Sequence, residues 1–197
     1  MSLTIGILFF EDTEELDAIG PWEVFSFALS QKDDCRVVTL SESGDTVTCA
    51  KGLKIVPDFA LADAPPLDVL LVPGGMGTRR EQHNQGLLDW IAKTAANCQW
   101  VTSVCTGSLL LYKAGVARGK QVTTHWSFVE KLREMGDITV RDDVRFVRDG
   151  NLVTSAGVSA GIDMALWLVG EIYDPDFARA VQKGIEYYPA PPYTAAV

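Results

Sequence analysis

Three short apolar runs, each followed by a turn and then a helical pattern, most constrain how this chain can fold. They lie at residues 3–10, 69–72 and 100–104. A nearly continuous apolar run of strand length is typical of a parallel strand that is buried on both faces. Because such strands alternate with helical segments, the sequence predicts an α/β fold: a doubly wound, mostly parallel sheet with helices on both faces.

The same pattern predicts where a ligand would bind. In a doubly wound sheet, ligands lie beyond the carboxyl ends of the strands. If the three apolar strands are neighbours, the loops that follow them meet at this edge. Those loops carry Asp17, the pair Gly74 and Gly75, and Cys105. We therefore expect these residues to converge, with the two glycines offering backbone N–H groups to a ligand.

The third run leads into the most distinctive stretch of the sequence. We expect a strand that ends at Val104, a sharp turn at Cys105 and a helix that starts near Thr106. A nucleophile flanked by small residues between strand and helix is the nucleophile-elbow pattern, which holds the central side chain exposed on a strained backbone. N–H groups at the start of the helix would lower the pKa of Cys105. A small buried cysteine after a central strand is the equally probable alternative.

Asp17 also has two interpretations. It is flanked by apolar residues after the first strand, near the start of a helix whose first turn is predicted to contain Pro21. A capping role at the helix N-terminus is favoured on these residues alone. The alternative is a catalytic carboxylate beside Cys105.

The rest of the sequence predicts further strands and helices. They are a strand at 36–41, a hairpin at 46–56 that turns near Gly52, helices at 86–97, 106–114, 125–135, 162–172 and 176–187, and an extended tail at 188–193. Trp22, Trp126 and Trp167 are expected in the core or at an interface.

Composition narrows the class of protein. With 197 residues and 47% hydrophobic content, the chain is predicted to form one domain, residues 1–197. A net charge of −9 excludes a nucleic-acid surface. The four cysteines form no CxxC pair and only two histidines occur, so we expect no metal site. The sequence contains no GxGxxG motif, so we expect no dinucleotide cofactor. No apolar stretch is long enough to span a membrane and no basic leader precedes the first strand, so we expect a cytoplasmic protein.

Several of these motifs together resemble the ThiJ/PfpI superfamily. The resemblance is carried, in the family's order, by residues 17–24, 72–75, 104–107, 123–126 and 154–163. It implies a flavodoxin-like fold related to class I glutamine amidotransferases. It also implies a homodimer with the first helix near the interface, which composition does not show.

Within the superfamily the sequence looks most like the bacterial isocyanide hydratases, through Leu16-Asp17, residues 102–108 and the tail at 187–192. This resemblance implies hydration of isocyanides to N-formamides through a cysteine-bound thioimidate, with a small-molecule substrate and no cofactor. The implied catalytic residues are Cys105 as nucleophile, Asp17 as acid and Thr106, which orients water. The implied substrate-binding residues are Gly74, Gly75, Gly107 and His125. On the residues alone, a structural role for His125, hydrogen-bonded through one ring nitrogen, is favoured, and within the pocket it is expected as a wall and not as a general base.

Other branches of the superfamily match less well. Its proteases carry a histidine where Thr106 stands, and its chaperone and deglycase branches usually carry a glutamate where Asp17 stands. Sensor domains of AraC-type regulators share the elbow and the Thr-Thr-His-Trp block but continue into a basic helix-turn-helix region. This sequence stops at Val197, and a free-standing domain of that ancestry is one of the alternatives. A redox or ligand sensor and a glyoxalase or deglycase remain the alternatives.

Overall fold

The computed structural model describes residues 2–189 and contains eleven strands, seven α-helices and two short 3₁₀ turns. The strands are Leu3–Leu8 (β1), Cys35–Ser41 (β2), Val47–Thr48 (β3), Lys54–Ile55 (β4), Phe59–Ala60 (β5), Val69–Val72 (β6), Trp100–Val104 (β7), Gln121–Val122 (β8), Thr139–Val140 (β9), Phe146–Asp149 (β10) and Leu152–Ser155 (β11). The α-helices are Glu15–Leu29 (α1), Thr78–Glu81 (α2), Gln85–Ala95 (α3), Gly107–Lys113 (α4), Val129–Arg133 (α5), Ala160–Ile172 (α6) and Pro175–Gly184 (α7). The 3₁₀ turns are Leu61–Asp63 and Trp126–Phe128.

Seven strands form the central sheet, in the order β10-β11-β7-β6-β1-β2-β5. Every neighbouring pair is parallel except β10 and β11, which are antiparallel. The sheet confirms the predicted α/β class. β1, β6 and β7 are adjacent at its centre, so the loops that follow them meet at one edge, as the apolar runs indicate. The predicted hairpin is also present, as the antiparallel pair β3 and β4.

The apolar runs are explained by the two cores that the sheet separates. In β6, Leu70 and Val72 pack on the face covered by α3, α4 and α5. Val69 and Leu71 pack on the opposite face, against α1, α6 and α7. Because successive side chains of a strand point to opposite faces, a strand between two helical layers needs an apolar residue at every position. Each fully buried aliphatic side chain contributes about 1.5–3 kcal/mol to folding.

The start of α1 differs from the prediction. The helix begins at Glu15, with Glu14 at the N-cap position, so Pro21 lies inside the helix and not in its first turn. The acidic residues before Leu16 have the composition of a turn, which is why the sequence suggests a later start. Acidic side chains are also favourable in the first turn of a helix, where they face the positive end of its dipole.

The tryptophans are placed differently from one another. Trp167 packs edge-on against Trp100, with ring centroids 5.9 Å apart. Trp126 is 81% exposed, so the core interpretation is wrong for this residue.

The predicted tail at 188–193 lies outside the described residues from position 190 onward. No helix within the described range, 2–189, is long and apolar enough to cross a membrane.

Candidate active site

Cys105 occupies the turn between β7 and α4, and its backbone φ is 56°. A non-glycine residue in this left-handed region is strained by about 1–3 kcal/mol. The turn is fixed from both sides. The Cys105 N–H donates to the carbonyls of Ser155 and Ala156, at 3.2 and 3.0 Å, and the Cys105 carbonyl accepts from the Thr124 hydroxyl at 2.9 Å. The predicted sequence of strand, sharp turn and helix is therefore confirmed.

Gly107 allows α4 to start directly behind this turn. A Cβ atom at this position would lie 2.1 Å from the carbonyl oxygen of Val72, which is backbone and cannot move aside. Gly107 is buried and does not line the cavity described below, so its place in the structure is one of close packing.

The Gly107→Ala substitution is therefore expected to destabilise the protein by about 2–3 kcal/mol, because either β6 or α4 must shift. Chemical unfolding curves measure this directly. Gly86→Ala is the matched control, since its Cβ would meet only the Asn84 side chain, at 3.6 Å, on the exposed surface of α3. There the extra methyl is expected to leave stability unchanged or raise it by up to about 1 kcal/mol. Equal stability of the two variants would contradict the packing argument.

Asp17 lies in the first turn of α1 and is completely buried. Its Oδ2 atom accepts a hydrogen bond from the Gly74 N–H at 2.9 Å. Its Oδ1 atom has no hydrogen bond from any described residue. The Cys105 thiol and the Val158 N–H lie close enough to lower the carboxyl pKa, although neither bonds Oδ1 with hydrogen-bond geometry. The capping interpretation of Asp17 is wrong, because Glu14 occupies the N-cap position.

Burial dominates the ionisation of both groups. Removal from water raises the pKa of Asp17 from 3.8 to about 7, and the charge of Glu14 adds to this effect. Burial also raises the pKa of Cys105 to about 12, followed by repulsion from Asp17, while the N–H and hydroxyl of Thr106 lower it by less. The predicted lowering of the Cys105 pKa is therefore wrong, as is the expected exposure, since Cys105 is only 6% exposed.

Thr106 connects the turn at Cys105 to the loop after β6. Its hydroxyl oxygen is buried and accepts hydrogen bonds from the Gly75 N–H at 3.2 Å, the Thr78 hydroxyl at 3.1 Å and the Arg79 guanidinium at 3.3 Å. The N–H groups of Gly74 and Gly75 therefore bond protein side chains, Asp17 and Thr106, and are not free for a ligand. In the structure these two glycines orient the neighbouring side chains.

A cavity of about 170 Å³ opens in front of Cys105. It is lined by Glu14, Gly75, Met76, Arg79, Cys105, Thr106, His125, Ser127 and Val158. Of the seven predicted site residues, the lining includes Cys105, Thr106, Gly75 and His125. Asp17, Gly74 and Gly107 lie behind it. Larger cavities, of about 550 and 350 Å³, contain neither a cysteine nor a histidine.

His125 forms one wall of the cavity. Its Nδ1 atom accepts from the Ser127 N–H at 3.3 Å and lies 2.8 Å from the Ser127 hydroxyl oxygen. Burial lowers the pKa of His125, and the positive charge of Arg79 lowers it further. The ring is therefore neutral at pH 7, with one nitrogen committed to the turn at Trp126–Phe128. This placement matches the expected cavity wall.

Two charged residues in the lining, Glu14 and Arg79, were not predicted from the sequence pattern. Glu14 belongs to an acidic segment that has the composition of a solvated turn. Arg79 follows the glycine-rich loop, and its neighbour Arg80 has the same side chain. Nothing in this local pattern distinguishes an arginine that faces a cavity from one that faces solvent. Within residues 2–189, no cluster of His, Cys, Asp and Glu side chains is arranged to hold a metal ion.

Comparison with known proteins places the chain in a family. The DJ-1/PfpI family profile matches residues 4–171, and the chain belongs to this family, which is the ThiJ/PfpI group that its motifs resemble. It is 44% identical to an isonitrile hydratase of Pseudomonas putida over 193 residues, which cover 98% of this chain and 82% of that protein.

Two other relatives show the range of the family. The crystal structure of a ThiJ/PfpI family protein from Pseudomonas syringae superposes with a TM-score of 0.91 and 34% identity, covering 100% of this chain and 80% of that one. The HTH-type transcriptional regulator GbdR of Pseudomonas aeruginosa is 28% identical over 93% of this chain, which spans 50% of the regulator. The family therefore includes both an enzyme and a regulator among proteins similar to this one.

Proposed function

We propose that the protein is an isocyanide hydratase, which adds water to R–N≡C and releases the N-formamide R–NH–CHO. The observation that carries the proposal is the buried carboxyl of Asp17 beside the buried thiol of Cys105, which lines a small cavity. The similarity to an isonitrile hydratase supports it, since isonitrile is another name for isocyanide. Homodimer formation and a cytoplasmic location are part of the same proposal.

The two groups act as a pair that holds one proton. With pKa values of about 7 for Asp17 and about 12 for Cys105, the pair is a carboxylate beside a thiol across the range between those values. Moving that proton from sulfur to the carboxylate gives a thiolate beside a carboxylic acid. The two arrangements have the same total charge, so their interconversion requires no change in pH. Both a nucleophile and an acid are therefore available from one ionisation state.

In the first step, the isocyanide's terminal carbon receives the Cys105 sulfur and a proton. The thiol proton passes to the Asp17 carboxylate as the S–C bond forms, and Asp17 delivers it to the same carbon. The product is the thioimidate R–N=CH–S–Cys105, with Asp17 again a carboxylate. Oδ1 is the oxygen suited to this transfer, because Oδ2 already bonds the Gly74 N–H.

In the second step, water is added. Asp17 takes a proton from water, the hydroxide adds to the thioimidate carbon, and the same proton moves to nitrogen to give R–NH–CH(OH)–S–Cys105. The C–S bond then breaks while the hydroxyl proton, the second proton of the water, passes to Asp17. These events release R–NH–CHO and leave a thiolate beside a carboxylic acid, and transfer of the proton from Asp17 to sulfur restores the starting thiol and carboxylate. The Thr106 hydroxyl, expected to orient this water, already accepts three hydrogen bonds and donates to the Gly75 carbonyl at 3.3 Å, so the proposal assigns it no water.

The redox-sensor alternative receives less support from the site. Oxidation of a cysteine proceeds through its thiolate, and sensor cysteines have low pKa values and are accessible. Burial has the opposite effect on Cys105, whose pKa is raised to about 12. A hydratase in which Asp17 takes the thiol proton during attack does not need a stable thiolate.

The direct test is formamide production from cyclohexyl or p-nitrophenyl isocyanide, measured by NMR or chromatography with reduced, folded protein. The hydratase proposal requires catalytic turnover above the rate in buffer. Methylglyoxal is assayed in parallel, since turnover of the aldehyde and not of the isocyanide would favour the glyoxalase or deglycase alternative. No formamide with either isocyanide would refute the proposal for these substrates.

The pH dependence of kcat/KM follows from the same pair. Below the Asp17 pKa of about 7, both groups are protonated and the base that accepts the thiol proton is lost. We expect kcat/KM to rise about tenfold per pH unit below this value and to level off above it. His125→Gln is the control for histidine titration. The kcat/KM of this variant should rise over the same pH range as that of the wild type, whatever its absolute rate. A profile that falls as pH rises through 7 would contradict the pairing.

A further inference from the structure

Arg79 is held rigidly at the wall of the Cys105 cavity. Its Nη1 group donates to the Gly75 carbonyl at 2.9 Å and to the hydroxyls of Thr78 and Thr106, at 3.0 and 3.3 Å. The guanidinium lies over the Phe128 ring, 5.1 Å from its centroid. The side chain is half-buried, and all three of its hydrogen-bond acceptors are uncharged. Its position is therefore fixed without an ion pair.

The charge of Arg79 has no carboxylate partner among residues 2–189. Six other arginines each lie within 4.0 Å of a carboxylate oxygen: Arg80, Arg133, Arg141, Arg145, Arg148 and Arg179. Arg36 and Arg118 have no such partner in this part of the chain, but both are exposed to water. Arg79 alone combines partial burial with the lack of a counter-ion in the described structure. A carboxylate on a ligand would supply the counter-ion that this guanidinium lacks in the described structure.

The other charged residue in the cavity wall, Glu14, is not paired with Arg79. Glu14 forms an ion pair with Lys51. The charges of Arg79 and Glu14 act in opposite directions on His125: Arg79 lowers its pKa, and Glu14 raises it by less. Arg79 is the one cationic side chain in the described lining of this cavity, although the whole chain carries a net charge of −9. Distant surface charges are screened over about 8–10 Å in salt solution, so the local charge decides binding.

We propose that Arg79 binds an anionic group on the substrate, so that the preferred substrates are isocyanides that carry a carboxylate. This inference rests on the proposed hydratase function and names its substrate class. A guanidinium matches a carboxylate through paired N–H donors, and the described hydrogen bonds use only Nη1, which leaves Nη2 and Nε.

The geometry also limits the length of the substrate. The guanidinium lies 3.3 Å from the hydroxyl oxygen of Thr106, the residue that follows Cys105, and both ends belong to one cavity of about 170 Å³. A substrate that reaches both Cys105 and Arg79 has a short spacer, of about one or two carbons, between isocyanide and carboxylate. α-Isocyano carboxylates have this arrangement.

The test compares isocyanoacetate with its methyl ester, which has the same reacting group but no charge. In the wild type we expect kcat/KM to favour the anion, and in Arg79→Gln we expect the ratio of anion to ester to fall by about 10- to 100-fold. Any loss of activity that follows from removing the Arg79–Thr106 hydrogen bond affects both compounds alike, so it cancels in this ratio. Arg80→Gln is the matched control, since Arg80 is the adjacent arginine but pairs with Asp12 and Glu81. Its ratio should stay that of the wild type.

An unchanged ratio in Arg79→Gln, or a wild type that prefers the ester, would overturn the inference. If the wild type hydrates neither compound, the proposed function fails for this class, and calorimetry with N-formylglycine then tests Arg79 separately. Binding that is lost in Arg79→Gln and kept in Arg80→Gln supports anion recognition without hydratase activity. Equal binding to all three proteins, or binding to none, rejects it.

Discussion

Cys105→Ala is expected to abolish formamide production from isocyanides, with a loss on the order of 10³-fold or more. Without the sulfur no thioimidate forms, and the remaining groups have no nucleophile to hold the substrate carbon. Cys105→Ser is expected to be nearly as inactive, since the hydroxyl is far less acidic than the thiol and is a weaker nucleophile towards this carbon. Initial rates of formamide release, measured at equal concentrations of folded protein, give the loss directly.

The control must show that the loss belongs to the site and not to cysteine in general. Cys49 is buried and lies outside the cavity lining. Cys49→Ala should therefore keep most of the activity, with a modest loss of stability from the missing sulfur. Cys105→Ala that retained a tenth or more of the wild-type rate would exclude a covalent mechanism. The same rate loss in both variants would point to the fold and not to the nucleophile.

Asp17→Asn is expected to lower the rate by about 10²–10⁴-fold, because the proton no longer moves between sulfur and carbon through a carboxyl group. Asparagine has nearly the same shape and can still accept the Gly74 N–H, which bonds Asp17 at 2.9 Å in the wild type. The packing of α1 against the glycine loop is therefore retained. A rate close to that of the wild type would leave Asp17 with a structural role only.

The same substitution is expected to raise stability at alkaline pH. Folding raises the pKa of Asp17 from 3.8 to about 7, so the folded state binds a proton that the unfolded state has already released. The wild type therefore loses stability as pH rises between these values, by an amount on the order of 4 kcal/mol when the carboxylate is fully formed. Asparagine carries no charge at any pH, so this loss disappears in the variant.

Chemical unfolding at pH 5 and pH 8 measures this effect. We expect Asp17→Asn to exceed the wild type by about 1–3 kcal/mol at pH 8, since the amide has its own, smaller cost of burial. The advantage should shrink at pH 5, where the wild-type carboxyl is mostly protonated. A variant less stable than the wild type at pH 8 would mean that the buried carboxylate is better compensated than its surroundings suggest.

The fold could be predicted because its strongest signals are local. β6 is apolar at every position, and only a strand covered on both faces requires this. The convergence of Asp17 and Cys105 follows from the same reasoning, since both come after strands that are neighbours at the centre of the sheet.

The pKa values and charges of the site could not be predicted from local sequence patterns. The pKa of Cys105 is set by how completely the thiol is covered, and that depends on contacts among segments far apart in sequence. The pattern of a cysteine before a helix predicts the lowering effect of nearby N–H groups but not the larger effect of burial. Arg79 was missed for a related reason, because its hydrogen bonds to Gly75 and Thr106 exist only after the β6 and β7 loops have met.

The dipeptide Gly74-Gly75 bonds three functional side chains through one short piece of backbone. The Gly74 N–H bonds Asp17, the Gly75 N–H bonds Thr106, and the Gly75 carbonyl bonds Arg79. A displacement of this loop would misalign the proton-transferring group, the Thr106 hydroxyl and the guanidinium together. The site consequently behaves as a single cooperative unit: damage to any one of these bonds spreads to the others, and effects of paired substitutions here should fall short of the sum of their separate effects.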